Sequence, residues 1–190
     1  MAAVFLRENI RRAADLGCGA GDWVRALRRR GIDVDGFDGN PETAELTGGA
    51  CSVANLASEV EFAADYDAVY SFEVAEHIPP AQESVFVANV IRTRPKLVLI
   101  SWSGIAGDPD VSQPMRAMAS RVNPREPEYV REIFAARGYL ADEGLRAELA
   151  ASTPRASAWY ECKTRQAWVP ICGCCCWWIP PNLHVFRRVS

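Results

Sequence analysis

Three glycines at alternate positions, Gly17, Gly19 and Gly21, follow an acid in the stretch "AADLGCGAGDW", residues 13–23. Glycines spaced in this way let a backbone approach a ligand closely. A dinucleotide-binding loop needs Gly-x-Gly-x-x-Gly, with the pyrophosphate resting on the next helix N-terminus. Here the third glycine comes one residue early, and Asp22 stands in its place. A carboxylate there repels a pyrophosphate, so the loop suits a nucleoside ligand without phosphates. The same spacing argues against a nucleotide-dependent oxidoreductase. A second acid, Asp38, ends the segment "IDVDGFD", 21 residues beyond Gly17. An acid so placed accepts hydrogen bonds from both hydroxyls of a ribose and disfavours a 2′-phosphate. Taken singly, each of these residues is equally an ordinary turn glycine or a solvated acid; loop, acid and strand order together carry the reading.

The chain has two histidines. His77, in "EVAEHIPP", has an ordinary pKa that suits a general base. A histidine in such a motif more often braces its loop by local hydrogen bonds. His184 lies in a final strand pattern, where packing is the expected role.

These residues need elements to hold them. "RAADLGC" reads as a short buried strand, followed by a helix "DWVRALRRR" that Asp22 is expected to cap. "IDVDGFD" is a second strand. "NPETAELTG" is a helix with Asn40 as cap and Pro41 in the first position. "ACSVANL" and "YDAVYSFE" are strands, the latter rich in β-formers. "PPAQESVFVANVIR" reads as a helix with Ala81, Val85 and Ala88 aligned. "KLVLISW" is a continuous apolar run, typical of a strand covered on both faces. "EYVREIFAARG" is a helix with Val130, Ile133 and Phe134 on one face. "YLADEG" and "LHVFRR" are candidate last strands. Strands alternating with helical patterns indicate an α/β fold: a Rossmann-like, doubly wound sheet. Residues 103–127 contain four prolines and no steady period, which reads as a long loop.

The 190 residues suffice for one domain with a sizeable core. A net charge of −3 gives no electrostatic case for a nucleic-acid partner. No stretch reads as a membrane span, and "MAAVFLRENIRR" has a short apolar patch without signal-peptide architecture. A cytoplasmic, reducing setting is the expectation. Cys18 and Cys51 read as single buried thiols among the seven cysteines.

"DLGCGAG", then "GFD", then "YDAVYSFEVAEHIPP", resembles the class I S-adenosylmethionine-dependent methyltransferases. "SRVNPREPEYVREIFAARGY" is similar to a segment of small proteins with that domain. The resemblance spans roughly residues 10–150 and "LHVFRR". It implies a seven-stranded, mostly parallel sheet with an antiparallel last strand. It implies S-adenosyl-L-methionine as cofactor, with Asp15, Gly17, Cys18, Gly19 and Gly21 around the methionine moiety and Asp38 on the ribose. Asn55, followed by Leu56, matches the position where such folds often carry an acid for the adenine amino group. An amide accepts that bond without the charge-assisted part. Ser71, Phe72 and Glu73 would end the fourth strand beside methyl donor and substrate. Many relatives carry extra N-terminal helices over the substrate; without them an open site, or a fragment, is expected.

Methyl transfer is an in-line displacement, and alignment alone can supply about 7–11 kcal/mol of the barrier. A base, with His77 the candidate, matters only when the nucleophile must lose a proton. Trp102, Arg125 and Tyr129 flank the long loop and are the candidate substrate contacts, with Arg125 suited to a carboxylate or phosphate. A small-molecule acceptor is expected. The alternative is a catalytically silent domain serving as an interaction module.

The resemblance does not cover "ECKTRQAWVPICGCCCWWIPP". Residues 161–181 are expected to be an insertion in a single 1–190 domain. Cys172 and Cys175 have Cys-x-x-Cys spacing, but a structural zinc site usually needs a second ligand pair, so no metal is expected. An exposed apolar loop and a translated non-coding sequence both remain open.

Overall fold

The computed structural model describes residues 1–104, 121–151 and 182–189. The Cys-rich segment, and with it the expected insertion, lies outside the described residues, as does most of the long loop.

Seven strands form one sheet: β1 Arg12–Leu16, β2 Asp33–Asp38, β3 Cys51–Val53, β4 Ala68–Ser71, β5 Leu97–Ser101, β6 Tyr139–Ala141 and β7 Leu183–Arg188. Their order is β3-β2-β1-β4-β5-β7-β6. The β1–β2, β1–β4, β2–β3 and β4–β5 pairs are parallel; β7 runs antiparallel to both β5 and β6. The chain direction across the sheet reverses between β1 and β4, which opens a crevice beyond their carboxyl ends. All of Leu97–Ser101 is buried, as a strand covered on both faces requires.

Helices cover both faces. One core joins Val4 and Phe5 of α1 (Ala2–Arg7), Val24 and Leu27 of α2 (Asp22–Arg28), and Leu145 and Leu149 of α6 (Glu143–Ala151). The other joins Phe86, Val87 and Val90 of α4 (Glu83–Ile91) with Val130 and Phe134 of α5 (Pro127–Ala135). The short α3 (Thr43–Leu46) follows β2.

Several local expectations are corrected. The N-terminal apolar patch is α1, with Val4 and Phe5 in the core. Residues after Ala141 form α6, not more strand: Asp142 caps it, accepting from the Leu145 amide at 2.9 Å. The cap of α2 is Gly21 in the left-handed region; Asp22 is the first helical residue and pairs with Arg25 at 2.6 Å. Asn40 forms a turn before α3, its Oδ1 accepting from the Glu42 amide at 2.9 Å, and the helix starts later than its Asn-Pro signal. On α4 the buried face is Phe86, Val87, Asn89 and Val90, not the Ala81–Val85–Ala88 row. The bulkier side chains won the core, and the small alanines were left at its edge.

Candidate functional site

The glycine loop leaves β1 at Leu16 and is pinned at once to the end of β2. The Gly17 and Cys18 amides both donate to the Phe37 carbonyl, at 2.7 and 3.0 Å. The Gly19 amide donates to Asp38 Oδ2 at 2.8 Å, and Asp38 Oδ1 accepts from the Asn40 amide at 2.9 Å. The loop and Asp38, which the sequence singles out, therefore meet. Gly17 has φ +92, and a Cβ there would sit 2.1 Å from Val74 Cγ2. Only glycine satisfies both the backbone and that contact.

Asp15, Gly36 and Tyr70 lie side by side across β1, β2 and β4. Asp15 is buried beside the Tyr70 hydroxyl, and among the described residues its Oδ2 has no well-formed hydrogen bond. Burial pushes the Asp15 carboxyl well above its ordinary range. A buried carboxylate oxygen without a donor is costly.

Asn55 is exposed in the loop after β3. Its Oδ1 accepts from the Ala57 amide at 3.0 Å and its Nδ2 donates to Ser58 Oγ at 3.1 Å. Leu56 beside it is buried. Asn89 of α4 holds this loop: its Nδ2 donates to the Leu56 and Ser58 carbonyls at 3.1 and 2.7 Å, and its Oδ1 accepts from the Val60 amide at 3.0 Å. Sequence reasoning missed Asn89, although a polar residue inside an apolar run was visible. A cleft of about 670 Å³ passes Phe37, Ala54, Asn55 and Ser58 along β3 but touches neither the glycine loop nor Asp38, so it borders the crevice rather than fills it.

Beyond β4 and β5 the construction changes. Ser71 Oγ donates to the Leu16 carbonyl at 2.6 Å, tying β4 to the glycine loop. Glu73 has φ +58; its amide donates to Ser101 Oγ at 2.6 Å, and Ser101 Oγ donates to Glu73 Oε1 at 2.8 Å. Arg121 approaches Glu73 Oε2 at 3.6 Å. Glu76 is fully buried beside Glu73, and among the described residues neither of its carboxyl oxygens has a well-formed hydrogen bond. Burial, followed by the charge of Glu73, raises its pKa. His77 is exposed at the end of a short 3₁₀ turn, Ala75–His77, with its amide on the Val74 carbonyl at 2.9 Å.

Residues 121–126 cross these strand ends as a strap. The Val122 and Asn123 amides both donate to the Glu76 carbonyl at 2.9 Å. Glu83 gathers the strap: its Oε2 accepts from Asn123 Nδ2 at 3.0 Å and Arg125 Nε at 2.7 Å, and its Oε1 from the Tyr129 hydroxyl. The Arg125 guanidinium also stacks on Tyr129, 4.5 Å from the ring centroid. Trp102 lies just past β5, is 1% exposed, and donates from its indole to the Asn123 carbonyl at 2.8 Å. The three expected substrate contacts do come together, but around Glu83 and the strap, where Trp102 is a buried brace. Glu76, Glu83, Ser101 and Arg121 were not singled out from sequence. Among the described residues, no group of three His, Cys, Asp or Glu side chains could hold a metal ion, and no helix is long and apolar enough to cross a membrane.

Residues 5–93 match the model of a methyltransferase domain family. The methyltransferase domain of a bacterial Hen1 is similar, with 21% identity over 74% of this chain and 83% of that one, at a TM-score of 0.58. A magnesium protoporphyrin IX methyltransferase from Synechocystis PCC 6803, solved with bound SAH, gives 17% identity over 74% and 71% of the two chains and a TM-score of 0.58. An O-methyltransferase of neocarzinostatin biosynthesis, solved with SAH and 1,4-dihydroxy-2-naphthoic acid, gives 15% identity over 70% and 44%, at 0.52. No curated protein sequence matches the chain. The chain has the fold of the class I S-adenosylmethionine-dependent methyltransferases.

Proposed function

We propose that the protein is an S-adenosylmethionine-dependent methyltransferase acting on a small molecule in the cytoplasm. The observation that carries the reading is the clamp between the Gly19 amide and the Asp38 carboxylate, beside the buried Asp15 carboxyl. The residues fit the cofactor chemically. Asp15 and the turns at Gly17, Cys18, Gly19 and Gly21 would hold its amino-acid end. Asp38 keeps lone pairs for the ribose hydroxyls while it braces the loop. Asn55 and Leu56 would border the adenine, on a loop that Asn89 fixes. Ser71 and Glu73 would stand beside the reacting end. When bound, the cofactor supplies a methyl group already activated on a sulfonium.

The chain's own contribution is alignment and exclusion of water, with the strap as one wall. His77 at the rim would receive a proton from an acceptor that must lose one. Trp102 would act through the strap it braces; Arg125 and Tyr129 keep partly exposed surfaces at its edge. The net charge of −3 favours a small acceptor over a nucleic acid, although one similar fold is described as a small RNA methyltransferase. Titration with S-adenosylmethionine, S-adenosylhomocysteine (SAH) and NAD, followed by transfer from labelled cofactor to a metabolite extract, tests the reading. Binding of the first two and a labelled product are expected. Binding without any labelled product would favour the silent module, and binding of NAD alone would overturn both.

A further inference from the structure

Two thiols from distant parts of the chain meet beside the glycine loop, and the methyltransferase reading makes no use of their sulfurs. Cys18 stands in the loop after β1. Cys51 opens β3, where it pairs in register with Gly36 of β2. Both side chains lie over Gly36: a Cβ on that glycine would stand 2.5 Å from Cys51 Sγ and 3.1 Å from Cys18 Cβ. The bare backbone there leaves room for them to touch. The Cys18 thiol hydrogen-bonds to the Cys51 sulfur; its other acceptor, the Gly19 carbonyl, is 3.9 Å away. Both cysteines are free.

Cations flank Cys51. A Cβ on Gly21 would stand 3.3 Å from Cys51 Sγ and 3.2 Å from Arg25 Nη1, so the sulfur lies one layer beneath a half-exposed guanidinium. Exposed side chains change rotamer within nanoseconds, which gives a small uncharged molecule access. Arg28, held on the Val34 and Ala50 carbonyls, adds a second positive charge. The bond from Cys18, opposed by burial and aided by both arginines, holds the Cys51 thiol below its ordinary range, while the same bond and burial push Cys18 up. One sulfur is set to attack and the other to follow.

We infer that Cys18 and Cys51 form an oxidation site, which a peroxide converts to a disulfide that distorts the cofactor loop. The effect on the cofactor rests on the methyltransferase reading. The Cys51 thiolate attacks one peroxide oxygen; the O–O bond breaks, and the departing hydroxide takes up the proton that Cys51 released. The Cys18 sulfur then attacks the resulting sulfenic acid; the S–S bond forms, the S–O bond breaks, and the second hydroxide leaves as water with the Cys18 proton. Two electrons pass from the thiols to the peroxide, and two waters form. A disulfide holds its sulfurs about 2 Å apart, well inside the contact of two free thiols. Cys51 is fixed in a strand, so the loop gives way. The Cys18 amide sits on the Phe37 carbonyl, and the next amide, Gly19, on Asp38. Drawing Cys18 toward β3 therefore disturbs the clamp.

The test uses the full chain, reduced with dithiothreitol, freed of it, and treated with hydrogen peroxide. Peptide mapping without reduction is expected to find Cys18 bonded to Cys51, apart from any bond among the other five cysteines. SAH is titrated by calorimetry into the reduced and oxidised proteins. Oxidation is expected to weaken SAH at least about tenfold, and dithiothreitol to restore it. Cys51→Ala is expected to bind SAH as the reduced wild type does and to keep that affinity after peroxide. Mapping and reversal need no variant, so they decide the matter even if Cys51→Ala does not fold. No SAH binding by the reduced protein would remove the methyltransferase reading and with it this control of the cofactor, while the bond itself stands or falls by the mapping. Absence of the Cys18–Cys51 bond, equal SAH affinity in the bonded and reduced proteins, or the same loss on peroxide treatment of Cys51→Ala would overturn the proposal.

Discussion

The two halves of the crevice are built differently. The half beyond β1 to β3 is made by backbone: glycines in the left-handed region, amides on the Phe37 carbonyl, one amide on Asp38. The half beyond β4 and β5 is made by side chains that meet from distant parts of the chain, Glu73 with Ser101 and Glu83 with Asn123, Arg125 and Tyr129. A backbone-built half tolerates few residue types and leaves a short, readable motif. A half built by pairwise contacts leaves scattered polar residues whose partners only the fold reveals.

Substitutions should therefore act by different routes in the two halves. The largest effect is expected at Gly17. Alanine there brings a left-handed strain of about 1–2 kcal/mol and an overpacking term of about 1–3 kcal/mol against Val74. A total loss of about 2–5 kcal/mol, with loss of SAH binding, should appear in chemical denaturation and calorimetry. Adding Val74→Ala should restore only the steric part. Full restoration would show that the backbone conformation does not matter.

The next effect is a pH dependence behind the β4–β5 half. His184 of β7 pairs with Ile100 of β5, and burial lowers its pKa to about 4 from 6.5. The unfolded chain therefore binds this proton more readily than the folded one. The stability that His184 contributes is complete above pH 6.5 and is lost as pH falls toward 4. The loss amounts to about 3 kcal/mol at most. Urea midpoints at neutral and acid pH should separate wild type from His184→Gln over that window; parallel curves would contradict the assignment.

A smaller, more local effect is expected at Glu83. Glu83→Ala removes the acceptor shared by Asn123, Arg125 and Tyr129 and should cost about 2 kcal/mol. SAH affinity should stay within about threefold, because the backbone-built half is untouched. An equal loss of SAH affinity would mean that the halves are one cooperative unit.

The same contrast explains what the sequence revealed. The glycine spacing and Asp38 were readable because backbone conformation and a short loop bring them together. The strands were readable from their apolar runs, and β7 from "LHVFRR". The α4 face was misread because the small residues of "PPAQESVFVANVIR" share a period with its bulky ones. Asn89 was missed because its partners, Leu56, Ser58 and Val60, lie about thirty residues back in the chain. Trp102, Arg125 and Tyr129 were expected to contact the substrate; the fold brings them to the strap, and Glu83, on which Arg125 and Tyr129 converge, carried no local signal.

The central claim is that the Asp38 clamp forms a nucleoside site, and calorimetric titration of SAH into wild type and Asp38→Ala tests it most directly. Wild type should bind one SAH per chain, and Asp38→Ala should bind it at least about tenfold more weakly, about 1.4 kcal/mol, because two charge-assisted bonds to the ribose are lost. Equal affinity in the two proteins would remove Asp38 from the site and contradict the account.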